Sequence, residues 1–178
     1  MIALVFETHS ASVDNEAGLA SGQFDAGLSG LGEKQAVQLG ARYRTEHFDA
    51  IFCSDLQRSY RTAEIAFEER GFPIVRDARL REIDFGDMTR RPSREIDPAR
   101  VVYVKDPYPG GESYNQVAER VSNWLSGLWQ IYGGRRAMLI AHRAQFFSLE
   151  HLVNKRPLCD VLSAPWKWQH GWTYKLQA

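Results

Sequence analysis

The chain has 178 residues, with 22 basic and 22 acidic side chains and a formal net charge of zero. This length is enough for one domain with a complete hydrophobic core, and the zero net charge gives no general attraction to nucleic acid or to acidic membranes, so an anion site has to come from a local cluster of arginines. The two cysteines, Cys53 and Cys159, have no framework spacing and favour a reducing cytoplasm, and no apolar run approaches membrane-spanning length.

The chain opens with a predicted strand. Residues 2–7, IALVFE, are apolar and continuous, which is typical of a parallel strand buried on both faces. Residues 10–30 are rich in Gly, Ser, Ala and Asp and indicate a long loop. Apolar residues at roughly helical spacing then predict a helix over 31–47.

A second strand and helix follow directly. The run AIFCS predicts a buried strand and leads straight into a predicted helix over 54–71. Ser54 or Asp55 can cap the start of that helix, and Gly71 can end it. The run PIVRD, at 73–77, predicts a short strand.

The middle of the chain lacks the regular strand and helix patterns of the preceding segments. Residues 80–111 are irregular, with several prolines and many charges, and they are predicted to form a lid or a substrate loop. A strong helix is predicted over 113–133, with Ser113 as its cap. Its apolar face is predicted to consist of Val117, Val121, Trp124, Leu128 and Ile131.

The last part of the chain repeats the strand and helix pattern. A third buried strand is predicted at 136–142 and a helix at 144–153. The tail at 171–177 alternates polar and apolar residues, as a final strand does.

Strands that alternate with helices predict an α/β fold. We expect a single domain over 1–178, a three-layer sandwich with a mainly parallel sheet and helices on both faces. In such sheets ligands bind at the carboxyl ends of the strands. Three polar clusters, at 8–10, 54–61 and 142–143, follow predicted strands, and the fold would bring them together.

These clusters contain the groups that phosphoryl transfer needs. Histidine can attack phosphorus, because its neutral form is common at pH 7 and has a free lone pair. Arginine suits the phosphoryl oxygens, since its planar fork binds them in a bidentate way, and a carboxyl group can protonate the leaving alcohol. The chain offers these candidates: His9, Arg58 with Arg61, Glu82 and His142.

Five segments, in order, resemble the histidine phosphatases, the phosphoglycerate mutase-like superfamily. The family's Arg-His-Gly motif corresponds to THS, which opens THSASVDNEAGLASGQFDAGLSGLG at residue 8, and its Ser-x-Leu-x-Arg segment corresponds to SDLQRSYRTAE. Three further matches are LREIDFGD, PGGESYNQVAERV and LIAHRAQ. The resemblance covers nearly the whole chain and implies a phosphoglycerate mutase-like fold.

The resemblance also implies roles for particular residues. His9 would be the nucleophile that carries a phosphoryl group, Arg58 and His142 would bind the phosphoryl oxygens, and Glu82 would protonate the leaving group. The family implies no metal and no organic cofactor, and a small phosphorylated or anionic substrate. We therefore expect a cytoplasmic phosphomonoester hydrolase that binds neither nucleic acid nor membrane, and the oligomeric state stays open.

The chain departs from the family at the first motif. Thr8 and Ser10 stand where the family has its arginine and glycine, and Arg143 follows His142 where small residues are usual. This chain resembles a branch of the family that reads Thr-His-Ser. Thr8, Ser10, Arg61 and Arg143 are expected to be substrate-binding residues.

Two alternatives follow from these departures. The first is a degenerate member that binds an anionic ligand without efficient phosphoryl transfer. The second is repurposed chemistry in which Glu7 and Glu82 form an acid–base pair. Glu7 has the parity of His9 on an extended strand, so it could orient or acidify that imidazole, contribute to substrate binding or pair with an arginine. A rival register puts Glu7 at the nucleophile position but needs extra residues before Asn15.

Overall fold

A five-stranded sheet organises the chain in the computed structural model, which describes residues 1–177. The order across the sheet is β3-β2-β4-β1-β5, in which the first four strands are parallel and β5 runs antiparallel to β1 at one edge. This confirms the α/β fold with a mainly parallel sheet. The strands are β1 (Ile2–Thr8), β2 (Ala50–Cys53), β3 (Ile74–Arg76), β4 (Arg136–Ala141) and β5 (Trp172–Leu176).

Helices connect the strands and cover the sheet. They are α1 (Val13–Glu16), α2 (Gly30–Arg42), α3 (Gln57–Phe67), α4 (Ser93–Ala99), α5 (Tyr114–Tyr132), α6 (Arg143–Leu152) and α7 (Leu158–Ser163). Short 3-10 turns occupy Glu68–Arg70, Ala78–Leu80, Gly86–Met88 and Arg100–Tyr103. The segment 80–111, predicted to be irregular, thus contains only short helical pieces.

The two faces of the sheet bury different apolar side chains, because successive residues of a strand point to opposite sides. One face packs against α2 and α3 and includes Val5, Ile51, Met138 and Ile140. The other face packs against α5 and α6 and includes Leu4, Phe6, Phe52 and Leu139. A third cluster joins α5, α6 and α7 to the 83–108 segment. The sheet is therefore covered on both faces, as the sequence predicted.

Three local predictions were wrong. Helix α2 ends at Arg42 rather than continuing to residue 47. The N-cap of α3 is Leu56, and the backbone N–H of Gln57 donates to the Asp25 carboxylate at 2.7 Å, so a distant side chain caps this helix. Ile131 is 67% exposed, because in the last turn of α5 the next residue, Tyr132, takes the core position, with its ring 5.2 Å from that of Phe52.

Other local predictions are confirmed. Ser113 caps α5: its hydroxyl accepts from the backbone N–H of Gln116 at 3.2 Å, and the Gln116 side chain accepts in return from the backbone N–H of Ser113. Gly71 follows α3 and its 3-10 extension with φ of 68°, a left-handed conformation that glycine adopts at little cost. Within residues 1–177, no helix combines the length and the apolar character that crossing a membrane requires.

Two helical glycines give opposite predictions for stability. A Cβ at Gly40 would stand 2.4 Å from the carbonyl oxygen of Ala66 on α3, whereas a Cβ at Gly127 on α5 would meet nothing within 4 Å. We expect Gly40→Ala to lower the free energy of unfolding by about 1–3 kcal/mol through overpacking. Gly127→Ala should raise it by up to about 1 kcal/mol through helix propensity. Urea unfolding measures both, and a Gly40→Ala protein as stable as the native one would contradict the close packing of α2 on α3.

Candidate active site

The carboxyl ends of β1, β2 and β4 bring three polar side chains together. His9 follows β1, Ser54 follows β2 and His142 follows β4. The backbone N–H of His9 donates to the carbonyl oxygen of Ala141 at 2.8 Å, which extends the β1–β4 pairing to the site. The His9 and His142 rings meet edge to face with centroids 4.9 Å apart. The convergence expected from the sequence is therefore present for these residues.

A backbone carbonyl sets the protonation pattern of His9. The Nδ1 atom of His9 lies 2.7 Å from the carbonyl oxygen of Ser10. A carbonyl can only accept a hydrogen bond, so Nδ1 has to carry the proton. In the neutral ring this leaves the lone pair on Nε2, the nitrogen further from the backbone. The imidazole is thus held in the tautomer that a nucleophile at Nε2 requires.

Both histidines at the strand ends are held neutral. Burial, followed by the nearby charge of Arg58, lowers the pKa of His9 to about 3. Burial also lowers the pKa of His142 well below its usual value, with further contributions from Arg58 and His9. Desolvation and a neighbouring cation both disfavour the imidazolium form.

A hydrogen-bonded chain orients His142. Its Nε2 lies 2.7 Å from the hydroxyl oxygen of Ser54, and that oxygen accepts from the backbone N–H of Leu56 at 3.4 Å. Within residues 1–177, the Nδ1 atom of His142 is buried and has no hydrogen-bond partner. If the Ser54 hydroxyl donates to Nε2, Nδ1 carries the proton and can donate to a ligand.

Arg58 is a buried cation next to these rings. It is 2% exposed and donates from Nη1 to the carbonyl oxygen of Phe24 at 2.9 Å and from Nη2 to that of Gly22 at 2.6 Å. These bonds use two of the five N–H groups of a guanidinium, and the others remain for a ligand. Within residues 1–177, no carboxylate oxygen lies within 4.0 Å of Arg58.

Glu82 presents a carboxyl group to the same cleft. Its Oε1 accepts from the backbone N–H of Ile83 at 2.9 Å and from that of Ala144, in the first turn of α6, at 3.2 Å. Arg120 donates to the backbone carbonyl of Glu82 at 3.0 Å and fixes the segment from behind. Both side-chain bonds go to Oε1, so Oε2 is available to hold or release a proton.

The cleft that contains His9, Arg58 and Glu82 includes residues that the sequence analysis missed. Among the missed residues are Asn15, Ser93, Asp97, Arg100 and Tyr114. Asp97 and Arg100 lie in the charged segment predicted to form a lid, and that prediction was the only signal for them. Arg143, at the start of α6, also lines this cleft, as the sequence predicted.

The structure does not bring Arg61 to the cleft. Its side chain is 50% exposed and pairs with Glu64, one turn further along α3, at 2.6 Å. Arg61 lies three positions after Arg58. Of these two arginines, Arg58 lines the cleft and Arg61 does not. The prediction that Arg61 binds substrate is therefore not supported.

Glu7 and Thr8 lie in a second cavity, which also reaches His9 and Ser10. The Glu7 carboxylate is 2% exposed and accepts from Arg42 at 3.0 Å and from the Tyr43 hydroxyl at 2.7 Å. Glu7 therefore pairs with an arginine, one of the open interpretations. It does not line the cleft of Glu82, so the structure does not support an acid–base pair of these two carboxylates or Glu7 as the nucleophile.

Thr8 and Ser10 have structural partners. The Thr8 hydroxyl accepts from the indole N–H of Trp168 at 3.2 Å, and the backbone N–H of Ser10 donates to the Thr62 hydroxyl at 3.0 Å. Neither side chain lines the cleft that contains Glu82. The first motif thus contributes a nucleophile candidate but no charged side chain to this cleft.

Within residues 1–177, no three His, Cys, Asp or Glu side chains are grouped so that they could hold a metal ion.

Comparisons with known proteins point to one family. Residues 4–166 match the histidine phosphatase superfamily (branch 1). A probable phosphoglycerate mutase, GpmB of Klebsiella pneumoniae subsp. pneumoniae, is 35% identical over 150 residues, which cover 80% of this chain and 70% of that protein.

Solved structures give the same result. The chain is similar to Bacillus stearothermophilus YhfR, with a TM-score of 0.81 at 26% identity, covering 94% of this chain and 87% of that one. It is also similar to a mycobacterial glucosyl-3-phosphoglycerate phosphatase in complex with VO3. There the TM-score is 0.80 at 30% identity, covering 92% of this chain and 87% of that one.

The lowered pKa of His9 makes a prediction about stability. Between the pKa of about 3 in the folded protein and the usual value of 6.5, the unfolded chain binds a proton on His9 that the folded chain does not bind. The free energy of unfolding that depends on a neutral His9 is therefore fully present above pH 6.5. It is lost as the pH falls toward 3, and the free energy of unfolding then decreases by up to about 1.4 kcal/mol per pH unit. Urea unfolding at pH 7, 6 and 5 should show a shallower loss for His9→Gln than for the native protein. Parallel profiles would contradict a neutral, desolvated His9.

Proposed function

The chain belongs to the histidine phosphatase superfamily, and from this premise we propose that it hydrolyses a small phosphomonoester through a phosphohistidine on His9. Arg58 and His142 bind the phosphoryl oxygens, and Glu82 protonates the leaving alcohol. The named relatives, a phosphoglycerate mutase and a phosphatase of a phosphorylated glycerate derivative, support a small phosphorylated metabolite as substrate.

One observation carries the proposal: a buried cation that no carboxylate contacts lies next to a neutral nucleophile. Arg58 is almost fully buried, has no carboxylate partner within residues 1–177, and lies close enough to His9 and His142 to lower the pKa of both. An unpaired buried charge is costly, and a bound anion relieves that cost. A phosphoryl group supplies the negatively charged contact that Arg58 lacks, since the carboxylates of Glu82, Asp25 and Asp14 act on Arg58 only from beyond 4.0 Å.

The reaction proceeds in two displacements. The Nε2 lone pair of His9 forms a bond to phosphorus, the bond from phosphorus to the ester oxygen breaks, and the proton of Glu82 passes to that oxygen. Water then attacks phosphorus, the phosphorus–nitrogen bond breaks, and the water proton returns to Glu82. His9 ends neutral, and inorganic phosphate leaves.

A second candidate function follows from Thr8. Thr8 stands where the family has an arginine, so the positive charge of the first motif is absent here. The Thr8 hydroxyl is hydrogen-bonded to Trp168, and Thr8 lies outside the cleft. A charge-assisted contact contributes roughly 1.5–3 kcal/mol, or about one to two powers of ten in rate. The chain would then be an anion-binding module that retains affinity for phosphate or vanadate but does not turn over. Release of inorganic phosphate from a panel of phosphomonoesters distinguishes the two functions.

The nucleophile is tested by His9→Ala. This variant should lose at least ~10³-fold in kcat, because it removes the imidazole that forms the covalent intermediate in the proposed mechanism. A rapid quench of the native enzyme during turnover should trap a phosphate that is labile in acid and stable in base, on His9. His47→Ala is the matched control, since His47 is exposed and lies outside the cleft. Full activity of His9→Ala would rule out this mechanism, and a chelator added to each assay tests for metal dependence.

The general acid is tested by Glu82→Gln. A poor leaving group needs a proton in the transition state, and an activated aryl oxide does not. The variant should therefore slow an alkyl phosphate at least tenfold more than it slows p-nitrophenyl phosphate. Comparison of kcat/KM for the two substrates gives the answer, and equal losses on both would remove Glu82 from this role.

A further inference from the structure

Two arginines of the cleft share a single carboxylate. Arg100 and Arg143 both pair with Asp97, the first through Asp97 Oδ1 and the second through Oδ2 at 3.3 Å. We refer to these three residues as the Arg–Asp–Arg cluster. Resting on the proposed function, we propose that the Arg–Asp–Arg cluster binds a second anionic group, a carboxylate or a phosphate, on the alcohol part of the substrate.

The charges of the cluster do not balance. Two guanidinium groups face one carboxylate, which leaves one positive charge in excess. Asp97 is the exposed member, with a side chain 41% accessible, whereas the Arg100 side chain is 10% accessible and that of Arg143 is 30% accessible. The excess positive charge therefore belongs to the less exposed groups, where an anionic ligand interacts more strongly than it would in bulk water.

Arg143 has an unused donor and a fixed position. Within residues 1–177, its Nε atom is buried and has no hydrogen-bond partner. Its guanidinium carbon lies 5.0 Å from the centre of the Trp166 ring and 6.0 Å from that of Phe147, and Arg100 lies 5.5 Å from the same Phe147 ring. The aromatic rings hold both cations in place and leave polar groups free for a ligand, as in a preorganised anion site.

The position of the cluster decides which part of the substrate it meets. Arg143 directly precedes Ala144, whose backbone N–H binds the carboxylate of Glu82. The cluster thus lies beside the group proposed to protonate the leaving oxygen. The cation whose charge acts on His9 is Arg58. Arg58 therefore serves the phosphoryl group, and the Arg–Asp–Arg cluster serves the alcohol part.

The test uses two-carbon phosphates that differ only in the charge of their far end. Phosphoglycolate carries a carboxylate, 2-hydroxyethyl phosphate is neutral, phosphoethanolamine carries an ammonium group, and ethane-1,2-diyl bisphosphate carries a second phosphate. We expect kcat/KM of the native enzyme to be at least about tenfold higher for an anionic probe than for the neutral one. The two anionic probes distinguish carboxylate from phosphate. Phosphoethanolamine has the best leaving group, so chemistry alone would favour it.

Variants separate this site from the phosphoryl site. Arg143→Gln should bring kcat/KM for the anionic probes close to that for 2-hydroxyethyl phosphate, whose own value should change less than about threefold. Arg143→Lys keeps the positive charge and should retain part of the preference for the anionic probes. It therefore distinguishes loss of the charge from a folding defect. Arg94→Gln, an exposed arginine on α4 outside the cleft, should match the native enzyme.

Three results would overturn the inference. If kcat/KM of the native enzyme is no higher for the anionic probes than for 2-hydroxyethyl phosphate, the enzyme has no second anion site. Equal losses on all four probes in Arg143→Gln would mean that Arg143 contacts the phosphoryl group instead. Calorimetric titration of His9→Ala with the same four probes measures the preference without turnover, and equal affinities there would also refute it. Absence of turnover in the native enzyme, with the binding preference intact, would refute the proposed hydrolysis but not the anion site.

Discussion

The buried charge of Arg58 is the interaction on which the site depends. A guanidinium removed from water loses solvation free energy. Two carbonyl oxygens of the 22–24 loop offset part of that loss by direct contact, and the carboxylates of Glu82, Asp25 and Asp14 offset part of it at longer range. The same bonds tie this loop to α3 and close one wall of the cleft. The charge also disfavours protonation of His9 and His142 and leaves a positive potential between them. Arg58 thus orders the loop and, together with the larger effect of burial, keeps both histidines neutral.

The periodicity of the sequence predicted most of the fold, and the reasons for its failures are physical. Continuous apolar runs marked β1, β2 and β4 because strands covered on both faces need them. The cap of α3 could not be predicted, because it comes from Asp25, 32 residues earlier in the chain. Ile131 has the spacing of a core residue, but in the folded helix it is Tyr132 that turns toward Phe52, and Ile131 faces solvent. Tertiary contacts decided both cases, and local patterns carry no information about them.

The candidate site also contains some residues that the sequence could indicate and others that only the fold reveals. His9, Arg58 and His142 lie next to strand ends or helix starts, so their proximity could be anticipated. For Glu82 the signal was the resemblance of LREIDFGD to the family segment that carries the acid. Asp97 and Arg100 lie in a segment without periodicity, and only the folded chain shows them beside Arg143. Arg61 and Glu7 have the right residue types but are paired with Glu64 and Arg42, respectively. The sequence indicates which side chains have the chemistry of a site residue. Their ion pairs in the folded chain decide which of them remain available to a ligand.

The strand order has a consequence for synthesis on the ribosome. Strands β1 and β2 are not neighbours; β4 lies between them and joins the two halves of the sheet. Until residues 136–141 emerge, the nascent chain has no central strand, and the edges of β1 and β2 that pair with β4 have no partner strand. The pairing of β1 with β4 spans most of the chain, so sheet closure is a late and slow event. Because β4 also carries His142 to His9, the growing polypeptide cannot assemble the cleft before residues 136–142 have emerged.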